Sequence, residues 1–323
     1  MSGVTFGATE LPDRQAATLR KAVRYEWITI AFLAGAITLV GLVAGNSQAM
    51  KVAWAEDMLS LAPPIAFLIA VRIIRKPPTA KRPYGYHRSV GVGHLVAAIA
   101  LTTMGTLLII DSAVGLVTAE HPSIGSVQLF GQVFWLGWLM MGAMVVTGVP
   151  PVLLGRVKMK LAEALHDKVL YADAKMNKAD WMTALSSFVG VAGIGIGWWW
   201  TDAAAALFIS LSILSDGVKN LRSSILDLTD VRATTFDNAK PHPVIGQAED
   251  YLRRLDWVAE VGVRVRDEGH VFHVEGFLVP QSGREPSVDE LEEARQGCAE
   301  LDWRLHDVVL VPVPKLPVEV GQN

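Results

Sequence analysis

Between Trp27 and Ser215 the chain is a succession of apolar runs, several of them charge-free over the roughly 20 residues a helix needs to cross a bilayer. Residues 27–50 form the first, and 52–71 the second, which is charged only at its start. Residues 89–110 begin the third and 122–155 contain the fourth. Residues 181–201 hold most of the fifth, and 203–215 are the core of a shorter sixth. The composition agrees: 51% hydrophobic, 19% charged, with a mean hydropathy of +0.33. That balance suits a membrane protein with a soluble appendage better than a soluble, very apolar helical bundle.

Basic residues set the expected orientation. Arg14, Arg20, Lys21 and Arg24 precede span 1, and Arg72, Arg75, Lys76, Lys81, Arg82 and Arg88 lie between spans 2 and 3. Arg156, Lys158, Lys160, Lys168, Lys175 and Lys178 fall between spans 4 and 5 or at the start of 5, and Lys219 and Arg222 follow span 6. The opposite loops hold only Lys51. The positive-inside rule then places both termini in the cytoplasm of a multi-pass cell-membrane protein. Residues 1–24 are polar and lack an apolar h-region, so no cleaved signal peptide is expected. A single cysteine, Cys298, excludes an intrachain disulfide and a thiolate cluster. A net charge of −3 without a dense basic stripe argues against a nucleic-acid partner.

After span 6 the character changes. Residues 1–24 and 25–230 divide into a cytoplasmic segment and a six-helix membrane domain; 231–242 read as a linker, 243–316 as a cytoplasmic domain and 317–323 as a tail end. Pro243 suits the first turn of a helix reaching Leu255. Val261, Val263 and Val265 alternate with polar neighbours, as do Val271, His273 and Glu275, and Asp267, Glu268 and Gly269 between them supply a tight turn, so a β-hairpin is expected. Ser287 with Glu290 has capping-box spacing for a helix to Glu300, and residues 306–313 read as a last strand. The order αββαβ makes a small, ferredoxin-like α+β domain with a marginal core that dimerisation would help.

Acidic residues within or beside the apolar runs point to function, because a carboxylate costs several kcal/mol near the centre of a bilayer and there usually faces a bundle interior on an ion pathway. Glu56 and Ser60 are four residues apart on one helix face, with Asp57 turned by about 100°. Asp173, Asn177 and Asp180 fall at i, i+4 and i+7, again one stripe. If the two stripes face each other, their oxygen donors suit a divalent cation. Asp111, near the far end of span 3, reads as interfacial. Pro63 and Pro64 would kink span 2 one turn beyond Ser60, as a hinge or as static shape. Trp135, Trp138 and the tryptophans at 198–200 fit interfacial aromatics.

The order of these features resembles the cation diffusion facilitator family: six spans, an acidic span 2, the ADxxxxxxD stretch opening span 5, the WTD at 200–202, the SILD at 224–227 and the αββαβ tail. The YGYHRSVGVGHLVA stretch at 84–97 is similar to the family's approach to span 3. The resemblance implies a homodimer that exports divalent metal ions from the cytoplasm, commonly in exchange for protons. It also implies a site made of an i, i+4 pair on each of spans 2 and 5, which fall here on Glu56/Ser60 and Met176/Asp180. Only Asp180 matches in identity; Asp57 and Asn177, each one residue on, could restore an oxygen-rich set.

The expected site is therefore Glu56, Asp57, Asn177 and Asp180, with Ser60 minor and Asp173 at the cytoplasmic-side entrance. Without imidazole it favours manganese or ferrous iron, with zinc possible as substrate and no resident cofactor expected. In the tail, Val311 and Val313 stand where the family has ligands. His270, His273 and His306 remain, either as strand imidazoles or as a metal cluster, and His87 and His94 flank the start of span 3. No nucleophile–base pair or HExxH spacing suggests an enzyme. The alternative is a membrane metal sensor or scaffold of this family that has lost transport.

Overall fold

The computed structural model describes residues 11–74, 76, 79–119, 123–129, 131–269 and 271–320. The membrane part runs α1 (Asp13–Val43), α2 (Gln48–Leu59), α3 (Ala62–Ile74), α4 (Ser89–Val117), α5 (Leu136–Leu165), α6 (Lys168–Gly195) and α7 (Trp200–Leu228). A hairpin of β1 (Ser126–Leu129) and β2 (Gln132–Trp135) precedes α5. Among the described residues five segments are long and apolar enough to cross a membrane: α1, α2 with α3, Gly91–Val117, α5 and α7. α6 has 28 residues, but Asp173, Lys175, Lys178 and Asp180 in its first half keep it outside that set.

Three boundaries differ from the sequence expectation, each for a local reason. Span 1 ends at Val43 rather than 50, because Gly45 takes a left-handed φ of 52° and Ser47 caps the next helix by accepting from the Met50 N–H. Span 2 is two helices, and the break lies at Ser60 and Leu61, upstream of the prolines. Pro63 and Pro64 have no N–H for the carbonyls four residues earlier, those of Leu59 and Ser60, so the ladder fails there and restarts with Ile65 N–H to Leu61 O at 3.2 Å. Spans 4 and 5 are joined by two residues only, so Lys158, Lys160, Lys168 and Lys175 lie on helices rather than in a loop.

Buried positions recur every three to four residues, as for helices facing a bundle. On α1 they are Leu19, Ala22, Glu26, Thr29, Leu33, Ala36 and Val40. On α5 they include Gly148, Pro151, Gly155, Lys158, Ala162 and Leu165. At the tail-side end, Leu19, Ala22, Phe67, Val71, Ala162, Leu165, Val169 and Leu170 make an apolar layer from α1, α3, α5 and α6. Toward the opposite end, Val40, Met50, Met140, Met144 and Val191 make another. α4 pairs with α7 where glycines permit backbone contact: a Cβ at Gly217 would lie 2.7 Å from the Thr102 nitrogen. Trp138 and the stacked pair Trp198 and Trp200 are exposed.

The tail contains α8 (Val244–Arg253), β3 (Val258–Asp267), β4 (Phe272–Pro280), α9 (Val288–Ala299) and β5 (Leu305–Pro312), the αββαβ order expected. β3 and β4 are antiparallel, and β5 joins β4 in parallel. Val261, Val263 and Val265 face Phe272, Val274, Leu278, Leu252 and the buried Cys298 in one core. Pro243 is the N-cap of α8 rather than its first residue. The segment at 231–242 is not a free linker. Ala233 is buried, its N–H bonds the Val265 carbonyl at 2.8 Å, and Thr235 and Asp237 hold a turn in which Asn238 is left-handed. His270 lies outside the described residues.

The tail is tied to the membrane helices. Lys168 Nζ bridges Asp227 Oδ1 at 2.8 Å and Asp267 Oδ2 at 3.1 Å, and burial of Asp267 pushes its carboxyl up. The ring of His166, left-handed at the end of α5, meets those of His242 and Phe272 at 4.8 and 5.3 Å. Burial, with Arg304 nearby, pushes His166 down to about 3 and His242 to about 4, so both imidazoles are neutral near pH 7.

The capping box at Ser287 and Glu290 is formed in full. Ser287→Ala is expected to cost about 1 kcal/mol of tail stability and to raise amide exchange in the first turn of α9. Unchanged exchange there would show that the cap contributes nothing.

Candidate metal centre

Two neighbours fix α2. Asp202, fully buried on α7, accepts from Ser47 Oγ at 2.6 Å, Gln48 N–H at 2.5 Å and Ala49 N–H at 3.3 Å, satisfying orphan donors at the positive end of α2. Ser187 Oγ of α6 donates to the Ala49 carbonyl at 3.4 Å. This anchorage sets the last turn of α2, where Glu56 and Asp57 are half-buried. Glu56 meets Thr183 of α6, with Asp57 and Asp216 within electrostatic reach. Asp180 is within reach of both Glu56 and Asp57. The acids of spans 2 and 5 are thus within electrostatic reach of one another, but among the described residues no three His, Cys, Asp or Glu groups stand close enough to hold a metal ion. Ser60 closes α2, and its hydroxyl oxygen is buried with no hydrogen-bond partner.

Nearer the tail on α6, Asp173 is 1% exposed and ion-paired with Lys158 of α5, which is itself 0% exposed. The same ammonium reaches Glu26 Oε2 of α1 at 2.8 Å, and Glu26 is also fully buried. Asp173 therefore stands in a buried ion triad just above the tail-side apolar layer rather than at an open entrance. Asn177, also buried, donates from Nδ2 to the Asp173 carbonyl at 2.9 Å and to its Oδ1 at 3.2 Å. Met176 turns instead toward the apolar cluster of Ala49, Val52, Leu101, Ala206 and Ile209, a packing position.

Residues 27–229 match the family model of the cation efflux transmembrane domain, well over half of the chain. The chain belongs to the cation efflux family. It is similar to manganese efflux system protein MneS of Bacillus subtilis (strain 168), 23% identical over 60% of this chain and 64% of that protein. It is also similar to manganese efflux system protein MneP of the same organism, 22% identical over 79% of this chain and 83% of that protein, and to its uncharacterized transporter YdbO, 23% identical over 88% and 92%. As a cation diffusion facilitator it is a multi-pass membrane protein that exports metal cations.

Against this family background, sequence reasoning missed Glu26, Lys158 and Asp202. The first two carried a signal. Glu26 and Lys158 each fall on the three-to-four-residue stripe of small and apolar residues that faces the bundle, so a charge there had to find a buried partner. Asp202 belongs to the WTD motif, but only the fold shows that it caps α2. Asp111 is exposed. His87 and His94 line a small tail-side cavity with Asp167, Lys168, Asp227 and Asp267, and His94 Nε2 also meets Asn220 Oδ1 of α7 at 3.4 Å. In the tail, His273 has both ring nitrogens engaged, Nδ1 with Asp307 Oδ2 at 2.5 Å and Nε2 with Glu275 Oε1 at 3.0 Å.

Lys158→Met leaves two buried carboxylates without their cation and is expected to lower stability by about 3–5 kcal/mol. The triple change Glu26→Leu, Lys158→Met, Asp173→Leu should recover most of it. Thermal unfolding in detergent measures both, and an unaffected Lys158→Met protein would contradict the ion triad. In the tail, the hydrogen bond with Asp307 raises the His273 pKa and that same bond lowers the Asp307 pKa. The His273 contribution is complete below the ordinary imidazole value and fades as pH rises through its raised one. The Asp307 contribution holds above the ordinary carboxylate value and fades as pH falls through its lowered one. Tail stability should therefore show a plateau between about pH 4 and about pH 6.5 that His273→Gln removes; an identical profile for that variant would refute the pairing.

Proposed function

We propose that this protein exports a divalent cation from the cytoplasm in exchange for protons, by alternating access and as a homodimer, with manganese(II) or iron(II) preferred to zinc. Glu56 and Asp57 of α2 and Asn177 and Asp180 of α6 are the ligands, with Ser60 a weaker one. The observation that supports this best is that Asp180 of α6 lies within electrostatic reach of Glu56 and Asp57 of α2, a helix that ends on the buried, unpartnered Ser60 hydroxyl. The set contains neither imidazole nor thiolate. Hard and intermediate cations favour such oxygen donors, whereas zinc gains most from His and Cys. The names of the two manganese efflux relatives point the same way.

In this reading α6 is a sixth span whose acids turn to the bundle interior, and the basic residues at the helix ends place both termini in the cytoplasm. Buried carboxylates can exchange a metal ion for protons without a histidine. The edge strand β5, with Val309 and Val311 39% and 38% exposed, offers the tail a surface for a second copy.

Proteoliposomes with an inward-directed manganese gradient and an opposing proton gradient should show uptake that Glu56→Gln or Asp180→Asn reduces at least ~10-fold, the loss expected when one charged ligand is removed. Asp57→Asn should have a smaller effect. A strong zinc preference would reject the selectivity, and a folded protein with no metal flux would favour the sensor or scaffold.

A further inference from the structure

The ion triad lies directly beneath the proposed site on the same stripe of α6. Asp173 precedes Asn177 by one turn and Asp180 by two, an axial rise of about 6 Å and about 10 Å. Lys158 draws the Asp173 carboxylate toward α5, and Glu26 holds the ammonium from the other side. This withdraws Asp173 from any passing ion but leaves its Oδ1 and its main-chain carbonyl as acceptors. Both are taken by the Nδ2 of Asn177. An asparagine amide has one donor end and one acceptor end, and its hydrogen bonds decide which way it faces. With the NH2 group turned back to Asp173, the oxygen is the end left for other partners. An amide flipped the other way would offer N–H groups, which repel a cation.

We infer that Asp173 is a positioning residue for metal binding: anchored by Lys158 and Glu26, it orients the Asn177 amide so that the amide oxygen, not the NH2, meets the transported divalent cation. The inference rests on the reading of Asn177 as a ligand. It assigns the buried triad a part in recognition as well as in packing, and explains why a charge is kept in a place where an apolar residue would be easier to bury. The residue then acts through Asn177 and never touches the ion.

A double-mutant cycle tests this on the full-length protein, with manganese binding measured by titration calorimetry and initial uptake rates measured in proteoliposomes. Asp173→Leu removes the side-chain acceptor and leaves a balanced pair of Glu26 and Lys158, so the variant should elute as a folded, monodisperse protein. Its Kd and KM for manganese should rise about 10-fold with kcat within about twofold, the scale of one lost orienting hydrogen bond. Asp173→Asn keeps an acceptor oxygen and should bind within about threefold of the parent. Asn177→Ala should itself weaken binding, and adding Asp173→Leu to it should change nothing further, since no amide remains to be oriented.

An equal effect of Asp173→Leu with and without Asn177 would overturn the inference in favour of a general electrostatic or packing role. So would normal manganese affinity in Asp173→Leu while Asn177→Ala is impaired. If Asn177→Ala binds manganese like the parent protein, the ligand assignment falls and the inference with it, whereas loss through Glu56→Gln and Asp180→Asn would leave the proposed transport site standing.

Discussion

One ammonium and two carboxyl groups share one dry place in the bundle. The ammonium of Lys158 between Glu26 and Asp173 joins α1, α5 and α6 with no exposure to water. Each ion would be costly to bury alone, and only their mutual contact makes the arrangement tolerable. That requirement dictates how the three helices face one another. The buried stripes of α1 and α5 must turn inward together, and α6 must present Asp173, and hence Asn177 and Asp180, to the interior. The apolar layer at the tail-side end closes beneath the triad using the neighbouring positions of the same stripes.

The second constraint acts from the opposite helices. Asp202 receives the first N–H groups of α2, and the paired prolines end that helix at Ser60. α2 is thus a rigid piece of 12 residues with a cap at one end and a break at the other, and Glu56 and Asp57 occupy its last turn. The break leaves the Ser60 hydroxyl unpartnered at the same level. Two short-range chemical facts, a carboxylate at a helix start and missing N–H groups at a helix end, fix where α2 begins and ends and so where Glu56 and Asp57 sit in its last turn.

Much of this was legible in the sequence, and the rest was hidden for identifiable reasons. Apolar runs located the helices, Ser287 and Glu290 announced α9, and the spacing of Asp173, Asn177 and Asp180 marked one face of α6. What periodicity cannot show is the partner across an interface. Lys158 reads as one more basic residue at a helix end because it lies among Arg156 and Lys160, although its spacing from Gly155 and Ala162 puts it on the buried face. The β1 and β2 hairpin has only four residues per strand, too few to separate from an apolar run. The segment at 231–242 reads as a linker because turn residues dominate it; its buried residues, Ala233 and His242, give little signal.

The family places the chain among exporters of metal cations, and the proposed site would give that role its local chemistry: an oxygen-only set from α2 and α6. The most direct measurement is anomalous scattering at the manganese edge from the protein in lipid. The account predicts a peak bounded by Glu56, Asp57, Asn177 Oδ1 and Asp180 at oxygen-ligand distances. A peak at the tail-side cavity of His87 and His94, or one between α2 and α6 that excludes Asp180, would contradict it.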